Sequence, residues 1–273
     1  MKAADFIYQR PDTLQDALAM LADDADAMPL AGGQSLMPMM NFRLAQPEKL
    51  IDLNCIAELS GITRHDDVLR IGAMTRYAEL ERSDLVREHL PLVMQALPHI
   101  AHDAIRNRGT IGGSVALADP AAEMPALLLA LDATIVLTGP DGAREVPADD
   151  FFQGMYETDA RIGELVTSIV LPIAQPEDRF GFYELARRHG DYAMVGVAIG
   201  VRDAVRVAFF SVAEKALRAR KAEAVLASDL SNFDDAIAAL DEIDFSGDLN
   251  ASPETKRHLA GVVLRRALEG LRA

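Results

Sequence analysis

Apolar residues recur along the chain with a spacing that changes from stretch to stretch, and the changes mark its elements. Phe6-Ile7-Tyr8 reads as a short strand. After Pro11-Asp12-Thr13, the residues Leu14, Ala17, Leu18 and Leu21 fall at helical spacing, with Asp16 near the start where the helix dipole favours it. Pro29-Leu30-Ala31 predicts a strand running into Gly32-Gly33. Leu36 to Leu44 is apolar and rich in methionine (Met37, Met39, Met40), and Lys49 to Leu53 predicts another strand. The first stretch therefore reads as a small β-α-β unit.

A second unit follows. Gly61-Ile62-Thr63 and Val68 to Ile71 flank His65-Asp66-Asp67 as a hairpin. Thr75 is expected to cap a helix through Leu80, and Pro91 to open an apolar helix over Leu92 to Ile100. Pro120 to Leu131 predicts a helix with Glu123 near its start. Ala133 to Leu137, a turn at Gly139-Pro140-Asp141-Gly142 and Arg144 to Val146 predict a strand pair, and Pro172 stops a further strand, Leu165 to Leu171. Pro176-Glu177-Asp178 is the candidate boundary. Beyond it, Phe180–Leu185 and Ala204–Val212 read as antiparallel strands. Amphipathic helices follow over Leu217–Leu226 and Phe233–Leu240, and a last one is capped by Ser252-Pro253. Strands and helices are segregated, so the tail reads as α+β.

At 273 residues the chain is long enough for two or three compact units. Its 27 Lys+Arg against 42 Asp+Glu give a net charge of −15, which repels nucleic acid and anionic membranes. The single cysteine, Cys55, can form no internal disulfide and cannot hold an iron–sulfur cluster on this chain; a buried, inert thiol is expected. No apolar run is long enough to span a bilayer, and Met1-Lys2-Ala3-Ala4-Asp5 lacks the apolar segment of a secretory leader. A cytoplasmic location is the expectation.

Two stretches carry the candidate chemistry: Ala31-Gly32-Gly33-Gln34-Ser35 and Thr110-Ile111-Gly112-Gly113-Ser114. Adjacent glycines beside hydroxyl residues suit backbone amides that converge on an anion, so the two read as walls of one phosphate-binding slot; each alone is also compatible with a plain tight turn. Neither has the dinucleotide-binding or Walker spacing. Arg106 and Arg108 are candidates to lend positive charge there, or are simply solvated. No residue reads as a catalytic acid or base. His65 and His89 read as solvated, and His258 lies on a polar helix face. His99 and His102 lack a partner at metal-ligand spacing, and no Ser-His-Asp arrangement is recognisable.

With both glycine stretches in place the chain resembles the FAD-binding medium subunit of molybdenum hydroxylases, the xanthine dehydrogenase and carbon monoxide dehydrogenase type. The residues that carry the resemblance are Ala31 to Pro38, Ile105 to Ser114, Ala118-Asp119-Pro120-Ala121-Ala122-Glu123-Met124-Pro125 and Arg187-Arg188-His189-Gly190-Asp191-Tyr192-Ala193. The resemblance implies an α+β chain. A two-subdomain FAD-binding domain at 1–176 (subdomains about 1–56 and 57–176) is expected, of the type shared with vanillyl-alcohol-oxidase-like flavoproteins. A C-terminal domain at 177–273, with a small antiparallel sheet and helices, would follow it.

It places FAD against Ala31, Gly32, Gly33, Gln34, Ser35 and Leu36, and against Thr110, Ile111, Gly112, Gly113 and Ser114. Glu123 stands where the family has a carboxylate, often Asp; Leu165 and Val166 match apolar positions, and Tyr192 a position near the flavin ring. Where many relatives carry a lysine this chain has Glu184, leaving Arg187 or Arg188 as possible substitutes.

The implied partners are an iron–sulfur small subunit and a molybdenum-cofactor large subunit, assembled as a dimer of heterotrimers, with NAD, a quinone or another molecule as final electron acceptor. The competing readings are a self-sufficient FAD-dependent reductase on a similar fold and a structural subunit without cofactor.

Overall fold

In the computed structural model, which describes residues 2–271, the β-α-β unit is as the spacing predicts. Strands β1 (Ile7–Gln9), β2 (Ala27–Leu30) and β3 (Lys49–Asp52) form a parallel sheet in the order β1-β3-β2. Parallel neighbours need crossovers, and the helix Leu14–Ala22 supplies one. Thr13 caps it by accepting the Asp16 N–H at 3.1 Å, and Ala17 and Leu21 turn inward onto Ile51, Leu53, Ile56 and Leu59. The methionine-rich stretch forms a second, short helix, Leu36–Asn41.

Five strands make the next sheet, in the order β4-β5-β10-β6-β7: β4 (Ile62–His65), β5 (Val68–Gly72), β6 (Thr134–Gly139), β7 (Gly142–Pro147) and β10 (Leu165–Pro172), all antiparallel. A two-stranded hairpin, β8 (Phe152–Gly154) and β9 (Glu157–Thr158), stands apart, with Tyr156 at its tip in the left-handed region (φ 57°). The helix Glu123–Ala130 is buried at every residue, as a helix that is apolar all round must be.

The last sheet is antiparallel in chain order: β11 (Arg179–Ala186), β12 (Ala193–Val201), β13 (Val205–Phe210) and β14 (Leu217–Arg218). Val195, Val197 and Ile199 face the helices Arg220–Ser228, Phe233–Ala238 and Pro253–Gly270, the last capped by Ser252. The opposite face puts Ala198, Ala208 and Phe210 into the same core as the helix Glu123–Ala130. Among the described residues no helix is long and apolar enough to cross a membrane.

Several expectations are corrected. The two strands read beyond the boundary do not pair with each other: β12, which the spacing concealed, lies between them. Its glycines interrupt the alternation because a side chain would not fit. A Cβ on Gly196 would lie 2.0 Å from the Phe210 ring, and one on Gly200 would lie 2.5 Å from the Ala130 carbonyl oxygen. Leu217 belongs to a strand, and the helix begins at Arg220. Thr75 caps nothing; its hydroxyl donates to the Gly61 carbonyl, and Arg76 is the cap of the helix Tyr77–Arg82.

Cys55 is exposed, because the turn after β3 sends Ile56 inward instead. His89 is buried, with its Nε2 3.1 Å from the Arg64 guanidinium. Arg106 is buried too. Its guanidinium serves the Ile100 and Ala101 carbonyls and the Asp103 and Glu81 carboxylates, and is neither solvated nor part of the slot.

Candidate functional site

The first glycine stretch leaves the end of β2, where an α/β unit presents free backbone to a ligand. Gly33 has a φ of 71°, and Gln34 Nε2 donates to the Gly32 carbonyl at 3.0 Å. Among the described residues, the N–H groups of Gly32, Gly33, Gln34, Ser35 and Leu36 donate to nothing within the chain. Consecutive free amides at the start of a short helix form a concavity that favours an anion.

The second stretch is built otherwise. Thr110 is the N-cap of the helix Ile111–Leu117, accepting the Gly113 N–H at 3.2 Å. The amides of Ile111 and Gly112 bond to the Thr75 and Ala73 carbonyls at 3.0 and 2.8 Å. Its glycines are therefore not positive-φ turns; they bring elements together. A Cβ on Gly112 would lie 2.7 Å from the Ala73 carbonyl oxygen, and one on Gly113 would lie 2.9 Å from Thr110 Oγ1 and 3.4 Å from the Ala31 Cβ. The first loop is pressed in as tightly, since a Cβ on Gly32 would come within 2.2 Å of the Arg108 carbonyl oxygen.

The two stretches thus line a single cavity of about 490 Å³. Ala31, Gly32, Gly33, Gln34, Ser35, Leu36, Thr110, Gly112, Gly113, Ser114, Glu123, Leu165, Val166 and Tyr192 all face it. Ile111 does not: it is fully buried in the core beneath. Met28, Met39 and Met74 join Leu165 and Val166 as apolar wall.

Glu123, the first residue of its helix and only 7 % exposed, is pushed up to about 7 by burial, with the Glu184 and Asp119 charges adding to the effect. Its own backbone N–H and His99 oppose the rise. Glu184 on β11 is buried, with one oxygen 3.2 Å from His99 Nδ1 and the other without a partner. That contact raises the His99 ionisation above its ordinary value, against the effect of burial. Arg187 reaches Asn250 Oδ1 at 3.3 Å, Arg188 is exposed, and neither lines the cavity.

Tyr77 is a lining residue the sequence did not point to, since a buried aromatic at a helix start has no motif. Its ring lies against Gly109, and burial raises its ionisation. Its buried hydroxyl lies near enough to Ser114 to feel it, which opposes the rise, but makes no well-formed hydrogen bond. Buried phenols are normally bonded.

Residues 3–174 match the family described as FAD binding domain in molybdopterin dehydrogenase, and residues 180–271 match the CO dehydrogenase flavoprotein C-terminal domain. The chain belongs to this family of FAD-binding medium subunits of molybdenum hydroxylases. It is 39% identical to the carbon monoxide dehydrogenase medium chain of Afipia carboxidovorans, covering 100% of this chain and 99% of that one. It is 40% identical to the 6-hydroxypseudooxynicotine dehydrogenase complex subunit alpha of Paenarthrobacter nicotinovorans, over 88% and 84% of the two chains.

The solved structure of carbon monoxide dehydrogenase from Hydrogenophaga pseudoflava superposes with a TM-score of 0.95 at 39% identity, covering 100% of this chain and 99% of that chain. The fold is accordingly a mixed helix-and-sheet FAD-binding domain followed by a C-terminal domain. The cofactor is FAD, and the chain is an oxidoreductase subunit. Its relatives are subunits of multi-subunit dehydrogenases. Free amides suited to a diphosphate, and flat apolar walls suited to a ring, fit that cofactor.

Proposed function

We propose that FAD lies in this cavity, held by Ala31 to Leu36 on one side and by Thr110, Gly112, Gly113 and Ser114 on the other. In this reading the free amides of residues 32–36 take the diphosphate, which no lysine or arginine lining the cavity is available to do. Leu165 and Val166 supply apolar contact, and Tyr192 stands at the opening. Glu123 is protonated in an appreciable fraction near neutral pH, so it can donate as well as accept a hydrogen bond. Ile111 acts from beneath, as core under the second loop. The single observation that carries the assignment is the run of amides without partners facing the hydroxyls of Thr110 and Ser114.

We assign residues 1–176 to the FAD-binding domain, with subdomains about 1–56 and 57–176, and residues 177–273 to the C-terminal domain. The two-subdomain arrangement is of the vanillyl-alcohol-oxidase-like type. Bound FAD supplies the redox chemistry, taking up electrons and returning them to an acceptor, while the protein positions the ring and controls access to it. An iron–sulfur small subunit delivers the electrons and a molybdenum-cofactor large subunit oxidises the substrate, in a dimer of heterotrimers located in the cytoplasm. The relatives' assembly into multi-subunit dehydrogenases supports this.

The test is the absorption spectrum of the purified chain, with FAD release and reconstitution. A flavin band at about 450 nm and one FAD per chain are expected; a folded chain that takes up no added FAD refutes the assignment. Iron and molybdenum in partners copurified from the native host test the assembly.

A further inference from the structure

Glu184 lies on β11 directly opposite Gly196 of β12. Strand residues two apart share a face, and Phe180 and Phe182 pack against the core that holds the helix Glu123–Ala130. Glu184 therefore points toward that helix, over a partner residue that has no side chain. Gly196 in turn pairs with Phe210 of β13, and the next residue, Ser211, donates its N–H to the Pro120 carbonyl at 2.8 Å. The start of the helix is thus fixed at the same level of the sheet as Glu184. His99 closes the third side: its ring lies 5.2 Å from Phe182 and its Nδ1 3.2 Å from Glu184. Ile100 and Ala101, which follow it, line the same cavity as Glu123.

The charges in this corner do not balance. Asp119, Asp191, Tyr77 and Tyr192 line the cavity with Glu123, and Glu184 stands behind it. Among the described residues no lysine or arginine lines the cavity. Lys256, which reaches the Ser211 carbonyl, is paired with Asp248; Arg187 is bonded to Asn250, and Arg188 is exposed. His99, ring to ring 6.2 Å from His189, is taken by Glu184. Two buried acids that share one base do not both ionise near neutral pH. The acid in contact with the base keeps the charge, and the proton goes to the other.

We propose that Glu184, held by His99, is a positioning residue whose charge keeps a proton on Glu123, so that Glu123 meets FAD as a neutral O–H donor and loading of the cofactor takes up a proton from water. The inference rests on the FAD reading above. A dianionic diphosphate entering among Asp119, Glu123 and Asp191 makes an ionised Glu123 costlier still, while the protonated carboxyl offers a donor to a ligand rich in acceptor oxygens. The Glu123 carboxylate gains one proton; no electron moves and no other bond changes. The sign follows from linkage: FAD raises the Glu123 ionisation, so binding weakens as pH climbs through the free chain's value, about 7, and levels off above the value in the complex.

The test is calorimetric titration of oxidised FAD into the full apo chain at about pH 6.5, 7.5 and 8.5, each in two buffers of different ionisation enthalpy, which gives affinity and protons exchanged. FAD should bind about tenfold more weakly at the highest pH than at the lowest, with about half a proton taken up per FAD at the middle one. Glu123→Gln should reduce the change in affinity to under about twofold and remove this uptake. Glu184→Gln, which can still bond His99, removes the neighbouring charge and should move the fall in affinity toward acid by about one pH unit; a merely structural role for Glu184 would leave it in place. An affinity that ignores pH, a fall that persists in Glu123→Gln, or one that Glu184→Gln does not move overturns this proposal alone. A folded chain that takes up no FAD at any of these pH values overturns the earlier reading and this one with it.

Discussion

Burial of Glu123 has a measurable consequence for stability. An ordinary glutamate titrates at 4.5 and Glu123 in the folded chain at about 7. Below pH 4.5 the carboxyl is protonated in both states and costs nothing. Between 4.5 and 7 the unfolded chain gives up its proton first, so the folded state loses stability as pH rises; above 7 the loss is constant. With 1.36 kcal/mol for each pH unit of the gap, the full penalty is about 3 kcal/mol.

Glu123→Gln keeps the size and an oxygen for the helix's first N–H while removing the charge. The variant should match the wild type near pH 4 and exceed it by up to about 3 kcal/mol at pH 8. Urea unfolding of the apo chain at steps between pH 4 and 9 measures this. The His99–Glu184 contact works in an overlapping window: the raised His99 stabilises the fold at low pH and loses that effect as pH climbs through its folded value. The difference between variant and wild type is therefore the quantity to follow. A difference that does not vary with pH, or that grows toward acid, refutes the account of Glu123.

Gly32→Ala places a methyl group 2.2 Å from the Arg108 carbonyl oxygen and 2.9 Å from the Gly109 Cα, backbone atoms that cannot rotate aside. The loops must separate, at about 1–3 kcal/mol, and FAD content per chain should fall with the melting temperature. Lys256 is buried, donating to the Ser211 carbonyl at 2.6 Å and pairing with Asp248 at 2.8 Å. Lys256→Ala should cost about 3 kcal/mol, read from the denaturation midpoint, while Lys221→Ala, an exposed pair with Asp241, should change it by under about 1 kcal/mol. Cys55, being exposed, should react with a thiol reagent at one equivalent per chain without denaturant; protection until unfolding would contradict its placement.

What could be read from the sequence was set by how local the cause is. Thr13 and Ser252 cap their helices because capping depends on a few neighbouring residues. The glycine stretches converge as expected, yet for different reasons: the first leaves its amides free, and the second uses its own to fasten a helix to Ala73 and Thr75. Ile111 shared a motif with cavity residues but sits one position round the helix, facing the core. Distant partners were not legible. Gly196 and Gly200 hid β12 because their need for smallness comes from Phe210 and Ala130, remote in the chain. Arg106 looked like an ordinary surface cation until Ile100, Ala101 and Glu81 closed around it. Tyr77 carried no signal at all.

The helix Glu123–Ala130 begins at the cavity and ends against the backbone of Gly200, while Ser211 donates its N–H to the carbonyl of Pro120 just before that helix. Shortening the gene after Pro176 would strip β12 and β13 from this helix and leave a sticky, aggregation-prone remnant. An engineer wanting a minimal flavin-carrying module from this chain must keep the tail, or replace the apolar surface it shields.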